Sequence, residues 1–203
     1  FFNLAHGVLA AVGGYVVFFL FKSNGWNLYL SVLIAILITG LVGYLIDKII
    51  YAPLRKRKAS NMVLLVASLG IFTAIQAIIA ILFTSQFQTL STGAGDSNIY
   101  QIGTGSITQT QVVILLSGLL IMAGLVLLLK KTLLGKAIKA ISDDEEVAKI
   151  VGIDTNKIIG YIFFIGSAIA GWAGILIGFD IGLEPTMGMG LLLKGVIASI
   201  IGG

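Results

Sequence analysis

Apolar runs of membrane-crossing length, cut by short polar segments, limit what this chain can become. They cover Asn3 to about Phe21, Asn27–Ile46, Met62–Phe83, Gln111–Leu129, Ile158–Phe179 and a last stretch beyond Gly190, about six in all. A helix needs ~20 residues to cross ~30 Å of hydrocarbon, and most of these runs reach that length. With 58% hydrophobic and 11% charged residues and a mean hydropathy of +1.06, the chain sits with polytopic membrane proteins rather than soluble domains. The expected fold is all-α, a polytopic transmembrane helical bundle in one domain over residues 1–203, without internal repeats. Because the chain opens on Phe1 and stops within an apolar run, it is expected to be a fragment lacking both ends. No cleavable signal peptide is identifiable.

The net charge of +4 is distributed in a way that argues topology rather than nucleic acid. Lys48, Arg55, Lys56, Arg57 and Lys58 fall in one interruption, 47–61, and Lys130, Lys131, Lys136, Lys139, Lys149 and Lys157 in or beside another, 130–157. The positive-inside rule makes these two loops cytoplasmic. It places the connections near Lys22–Gly25, at Thr84–Thr110 (Ser97 among them) and at Asp180–Gly190 outside. Stacking aromatics are not interleaved with the basic residues, so no nucleic-acid partner is expected. With no cysteine and one histidine, cysteine and multi-histidine metal sites are excluded.

Thr132–Lys157 is the longest strongly polar interruption. Ser142-Asp143-Asp144-Glu145 has capping-box form, which predicts a helix over 143–151. Asp143, Asp144, Glu145 and Glu146 load its first turn, Lys149 its last, and Gly152 can end it in the left-handed region. Such a helix is too short to span, and Val147, Ile150 and Val151 give it an apolar stripe that must dock on something. A solvated connector between two spans is the plainer alternative.

Glu146-Val147-Ala148-x-x-x-Gly152 resembles the Glu-Ala-Ala-x-x-x-Gly signature of ABC importer permeases, with Val147 replacing the first Ala. The run Gly135–Ala140 through Gly152-Ile153-Asp154 is similar to the corresponding loop of the branched-chain amino-acid permease family. So are Asn3-Leu4-Ala5-His6-Gly7, Tyr51-Ala52-Pro53-Leu54-Arg55 and the Pro185–Gly188 and Leu193-Lys194 region. The resemblance implies an ABC importer permease subunit in the bacterial plasma (inner) membrane, carrying branched-chain or related amino acids. It further implies ATP-binding subunits, a second permease subunit and an extracytoplasmic substrate-binding protein as partners, with lipid around the spans. ATP would be bound by the partners, no cofactor being expected in this chain. Asp143, Asp144, Glu145, Glu146, Val147, Ala148 and Gly152 would then couple to the ATPase.

Four polar residues are candidates for the translocation pathway. Asn3 and His6 share a helical face at i and i+3; Gln76 sits mid-span with Ser68 and Thr73, polar groups that should face other helices or a wet path; Lys194 is an intramembrane cation that can also snorkel. Helix packing is the competing use for Asn3, His6 and Gln76. Ala35, Thr39 and Gly43, and Gly166, Ala170, Gly174 and Gly178, are small-residue stripes expected at helix contacts. Pro53 predicts a helix boundary at Ala52. Without a P-loop, paired carboxylates or a nucleophile with its base, nothing supports an enzyme. An ATPase-independent secondary transporter or channel is the runner-up, although no acidic residue lies inside an apolar run to couple ions.

Overall fold

The computed structural model describes residues 3–91, 99–102 and 105–202. Ser97 lies outside the described residues. Among the described residues, five helical segments are long and apolar enough to cross a membrane, and Met187–Gly202 is a shorter apolar helix. The chain forms two compact units, one of residues 1–96 and 164–203, the other of 97–163.

In the first unit, α1 (Ala5–Val17) is apolar all round and almost entirely buried, which is the position such a helix must take. It continues through a π-helical turn, Phe18–Ser23. Asn27 caps α2 (Leu28–Ile46), which runs through a second π-helical turn, Asp47–Tyr51, into α3 (Ala52–Lys56). Ser60 caps α4 (Asn61–Phe83). Gln109–Lys131, Leu133–Asp143 and Glu145–Ile150 (α5, α6, α7) belong to the second unit, and α8 (Thr155–Asp180) begins there before its larger part joins the first. Last comes α9 (Met187–Gly202).

Glycine decides what touches α1. A Cβ on Gly13 would lie 2.5 Å from Gly171 Cα, one on Gly188 2.7 Å from Gly7 O, and one on Gly174 inside the Ala10 backbone. Backbones at this separation exclude every larger residue, so α8 and α9 bear on α1 main chain to main chain. The expected small-residue stripes are contact faces: Ala35, Thr39 and Gly43 are buried, Gly171 lies against the Thr39 side chain, and Gly178 against Leu183 and Leu90. Val8, Ala11, Tyr15 and Val17 form the core with Ala35, Phe72, Ile79, Leu90, Ile175 and Leu183. The segment after α4 adds to it. Gln88 and Leu183 exchange backbone hydrogen bonds of 3.0 and 2.7 Å, and Lys22 Nζ donates to the Thr89 and Ser91 carbonyls at 2.8 Å each. Part of the expected outside loop is therefore built into the unit.

In the second unit, β1 (Ile99–Ile102) and β2 (Gly105–Thr108) form an antiparallel pair with Ile99 opposite Thr108, where the sequence reading expected only loop. Thr108 and Gln111 make a capping box at the start of α5, and no residue of α5 is buried within the chain. Thr132 then starts α6, its hydroxyl accepting from Gly135 N at 3.0 Å and donating to Leu128 O at 2.6 Å. Gly135 lets α6 fold back closely, since a Cβ there would strike the Leu128 and Leu129 carbonyls.

Two expectations are corrected. The helix predicted over 143–151 is α7, only six residues long, and its cap is Asp144 rather than Ser142. Ser142 and Asp143 complete α6 instead, because an Asp cap is as good as a Ser cap and the later choice gives α6 more of its turn. Ala52 is helical, with φ −62° and ψ −44°. Its N–H reaches back five residues to Asp47 O, and the widened turn carries Pro53, which has no N–H to place, within a continuous helix.

Candidate functional site

Each unit holds one arrangement of polar and charged groups, and the two differ in kind. The second unit carries α7. Asp144 Oδ1 accepts from Glu146 N at 2.8 Å and Val147 N at 3.0 Å, satisfying amide groups that a helix start leaves bare. Lys149 Nζ reaches Glu145 Oε1 at 2.7 Å one turn away. Gly152 holds φ +88°, the left-handed residue the sequence called for, and its N–H returns to Lys149 O at 3.1 Å. Ala148 is buried, whereas Val147, Ile150 and Val151 are 54%, 82% and 69% exposed. Held at both ends, α7 thus presents an apolar stripe left uncovered among the described residues. Asp154 follows, its carboxyl accepting from Lys157 N and facing Lys157 Nζ, each at 3.2 Å. Those contacts hold it below the usual carboxylate range.

In the first unit, Asn3 and His6 lie together at the N-terminal end of α1. Asn3 Nδ2 is 3.0 Å from His6 Nδ1, with Asn3 standing just before the helix rather than on a shared face of it. Asn3 Oδ1 accepts from Ala5 N at 3.1 Å and from the Tyr51 hydroxyl at 2.9 Å. Leu4 N donates to Ser68 Oγ at 3.1 Å, and that hydroxyl donates to Leu65 O at 2.7 Å. Below Tyr51 a second contact closes the π-helical turn: Arg55 donates to both Asp47 oxygens, at 2.6 and 3.2 Å, with Asp47 only 2% exposed. A paired fork of this kind gives both oxygens of a buried carboxylate a charge-assisted hydrogen bond.

Asp47 has no role in the sequence reading, and Tyr51 and Arg55 enter there only through the family-like run Tyr51–Arg55. Their spacing of four was the available signal, since it stacks side chains along one face. Gln76 is half-buried on α4, eight residues and so about 12 Å along the helix from Ser68. Lys194 is exposed on α9. Neither is brought to the Asn3–His6 pair. Thr73 is satisfied within α4, its hydroxyl donating to the Leu69 and Gly70 carbonyls at 3.1 and 3.0 Å. Among the described residues no group of three His, Cys, Asp or Glu is placed to hold a metal.

Apolar spans packed through glycine, with polar groups gathered at one helix end, place the chain among multi-pass helical membrane proteins. The family described as the permease component of the branched-chain amino acid transport system matches residues 1–203, and the chain belongs to it. It is 28% identical to the high-affinity branched-chain amino acid transport system permease protein LivH of Escherichia coli strain K12, over 99% of this chain and 68% of that one. Its identity to BraD, the permease protein so described in Pseudomonas aeruginosa, is 27%, over 99% and 69%. A probable branched-chain amino acid transport permease protein LivH of Methanocaldococcus jannaschii is 32% identical over 99% of this chain and 64% of its own length. No solved structure matches the chain.

Proposed function

We propose that this chain forms the transmembrane path for branched-chain or closely related amino acids in an ABC importer, and that α7 is the part gripped by a separate ATP-binding subunit. One observation carries the coupling: a six-residue helix, capped at one end and stopped by a left-handed glycine at the other, whose Val147, Ile150 and Val151 stay exposed. A mere connector has no need of an apolar stripe in water, and burying three such side chains in a partner cleft is worth about 1.5–3 kcal/mol each. Asp143, Asp144, Glu145 and Glu146 put acid at the N-terminal side of the stripe and fit a cleft with a basic margin there. The cargo is the one named for the relatives. In this reading the loops 47–61 and 130–157 face the cytoplasm, a second permease subunit completes the path, and a substrate-binding protein delivers cargo from outside. ATP is bound by the partners and not by this chain. Asn3 and His6 contribute to the path, with Gln76 and Lys194 as further candidates.

The test is Ile150→Asp in the full protein expressed with its neighbours. Co-purification of the ATPase and ATP-driven leucine uptake should both fall at least tenfold, with the amount of inserted permease unchanged. Uptake that survives this change, or that proceeds without ATP, would instead favour a secondary transporter or channel.

A further inference from the structure

The polar contacts around Asn3 fix more than its position. Ala5 N is a donor with no acceptor character, so the Asn3 atom 3.1 Å from it is the carbonyl oxygen; the Tyr51 hydroxyl, able to donate or accept, then donates to that same oxygen at 2.9 Å and helps hold it. The other amide atom is then the NH₂ group, which can only donate, and it faces His6 Nδ1 at 3.0 Å. Nδ1 must therefore accept. An imidazole accepting at Nδ1 is neutral and carries its proton on Nε2. Nε2 is directed at α8, where a Cβ on Gly166 would lie 2.9 Å from it; glycine there leaves the ring its room.

We infer that Asn3 and Tyr51 are positioning residues that hold His6 as the Nε2–H tautomer with its donor facing the Gly166 step of α8. The Asp47–Arg55 pair, one turn to either side of Tyr51 and hydrogen-bonded across it, fixes the π-helical turn that carries the tyrosine. The consequence for transport rests on the proposed pathway role of His6; the tautomer itself does not.

The test reads the ring directly. In the full complex reconstituted in lipid nanodiscs, ¹⁵N-labelled histidine gives separate signals for bare and protonated ring nitrogens, the His6 signals being those lost in His6→Gln. Wild-type protein should show a bare Nδ1 and a protonated Nε2. Asn3→Asp replaces the donor by an acceptor-only carboxylate and should protonate Nδ1, whereas Tyr51→Phe, which keeps the ring volume, should give a mixture of tautomers. A protonated Nδ1 in wild type, or an unchanged bare Nδ1 in Asn3→Asp, would overturn the assignment, and the wild-type reading suffices if the variants fail to assemble. His6→Ala separates the two ideas. Uptake falling only as far as the assembled amount removes the pathway role while the tautomer result stands.

Discussion

Asp47 and Arg55 show how much a single pair can decide. Removing Arg55 leaves the buried Asp47 carboxylate without its partner, at a cost of about 3–5 kcal/mol, and removing Asp47 leaves an Arg55 that keeps 16% exposure, with a smaller but still clear loss. Asp47→Ala and Arg55→Ala should each lower the thermal midpoint markedly in detergent, while the double change to Leu recovers most of it. An equally large loss in the double variant would show that the charge pairing is not what matters. Gly174 makes a steric counterpart. Gly174→Val drives a side chain into the Ala10 backbone, and overpacking of that kind costs about 1–3 kcal/mol or more; Gly190→Val meets nothing within 4 Å and should assemble normally on a gel-filtration profile. The Asn3–His6 contact was legible from sequence because residues three apart stay close where a chain enters a helix, although Asn3 itself stands just before α1 rather than on it. The Tyr51 contact was not, since nothing local says that residues 48 positions apart meet. Asp47 was read as the edge of a loop, and only a helix continuing through Pro53 brings Arg55 back over it.

At the scale of elements, spans could be read from apolar length alone: α4, α5 and α8 run one to three residues past the expected ends, α1 starts later at Ala5, and the second span continues through its π turn to Lys56. What escaped was structure without such a run. Lys136 and Lys139 break the apolar pattern of α6, and the β1–β2 pair is too short and polar to stand out from loop. The end of α7 was legible because Gly152 has one strong use there; its start was ambiguous because Ser142 and Asp144 are both good caps two residues apart. Asp144→Ala should therefore loosen α7 by about 1 kcal/mol, reducing ATP-driven uptake partially. Glu146→Lys puts a cation at the positive end of the helix dipole, and Gly152→Pro cannot reach φ +88°. Both should abolish uptake with the protein still inserted; wild-type ATPase co-purification in the two together would remove α7 from the coupling.

For the whole molecule, eleven of the thirteen basic residues fall in two segments, and sidedness follows from them. Single cysteines at Ser60 and Thr132 should react only with reagent on the cytoplasmic side, and one at the exposed Gln86 only with reagent outside. Labelling at Gln86 from the cytoplasm would invert the orientation on which the proposed function depends. The π-helical turn Phe18–Ser23 bears on how such a chain tolerates a change of length. A π turn holds one residue more than the α-helix on either side of it, so losing a residue there returns the helix to its ordinary pitch without rotating α1. Deletion of Leu20 should thus be absorbed. Deletion of Val12 turns everything on one side of it by about 100° relative to the other, swinging Gly7 and Gly13 out of common alignment with Gly188 and Gly171, and should leave little assembled protein. The places where this bundle can gain or lose a residue over generations are written in its wide turns, while its glycine seam keeps a fixed reading frame.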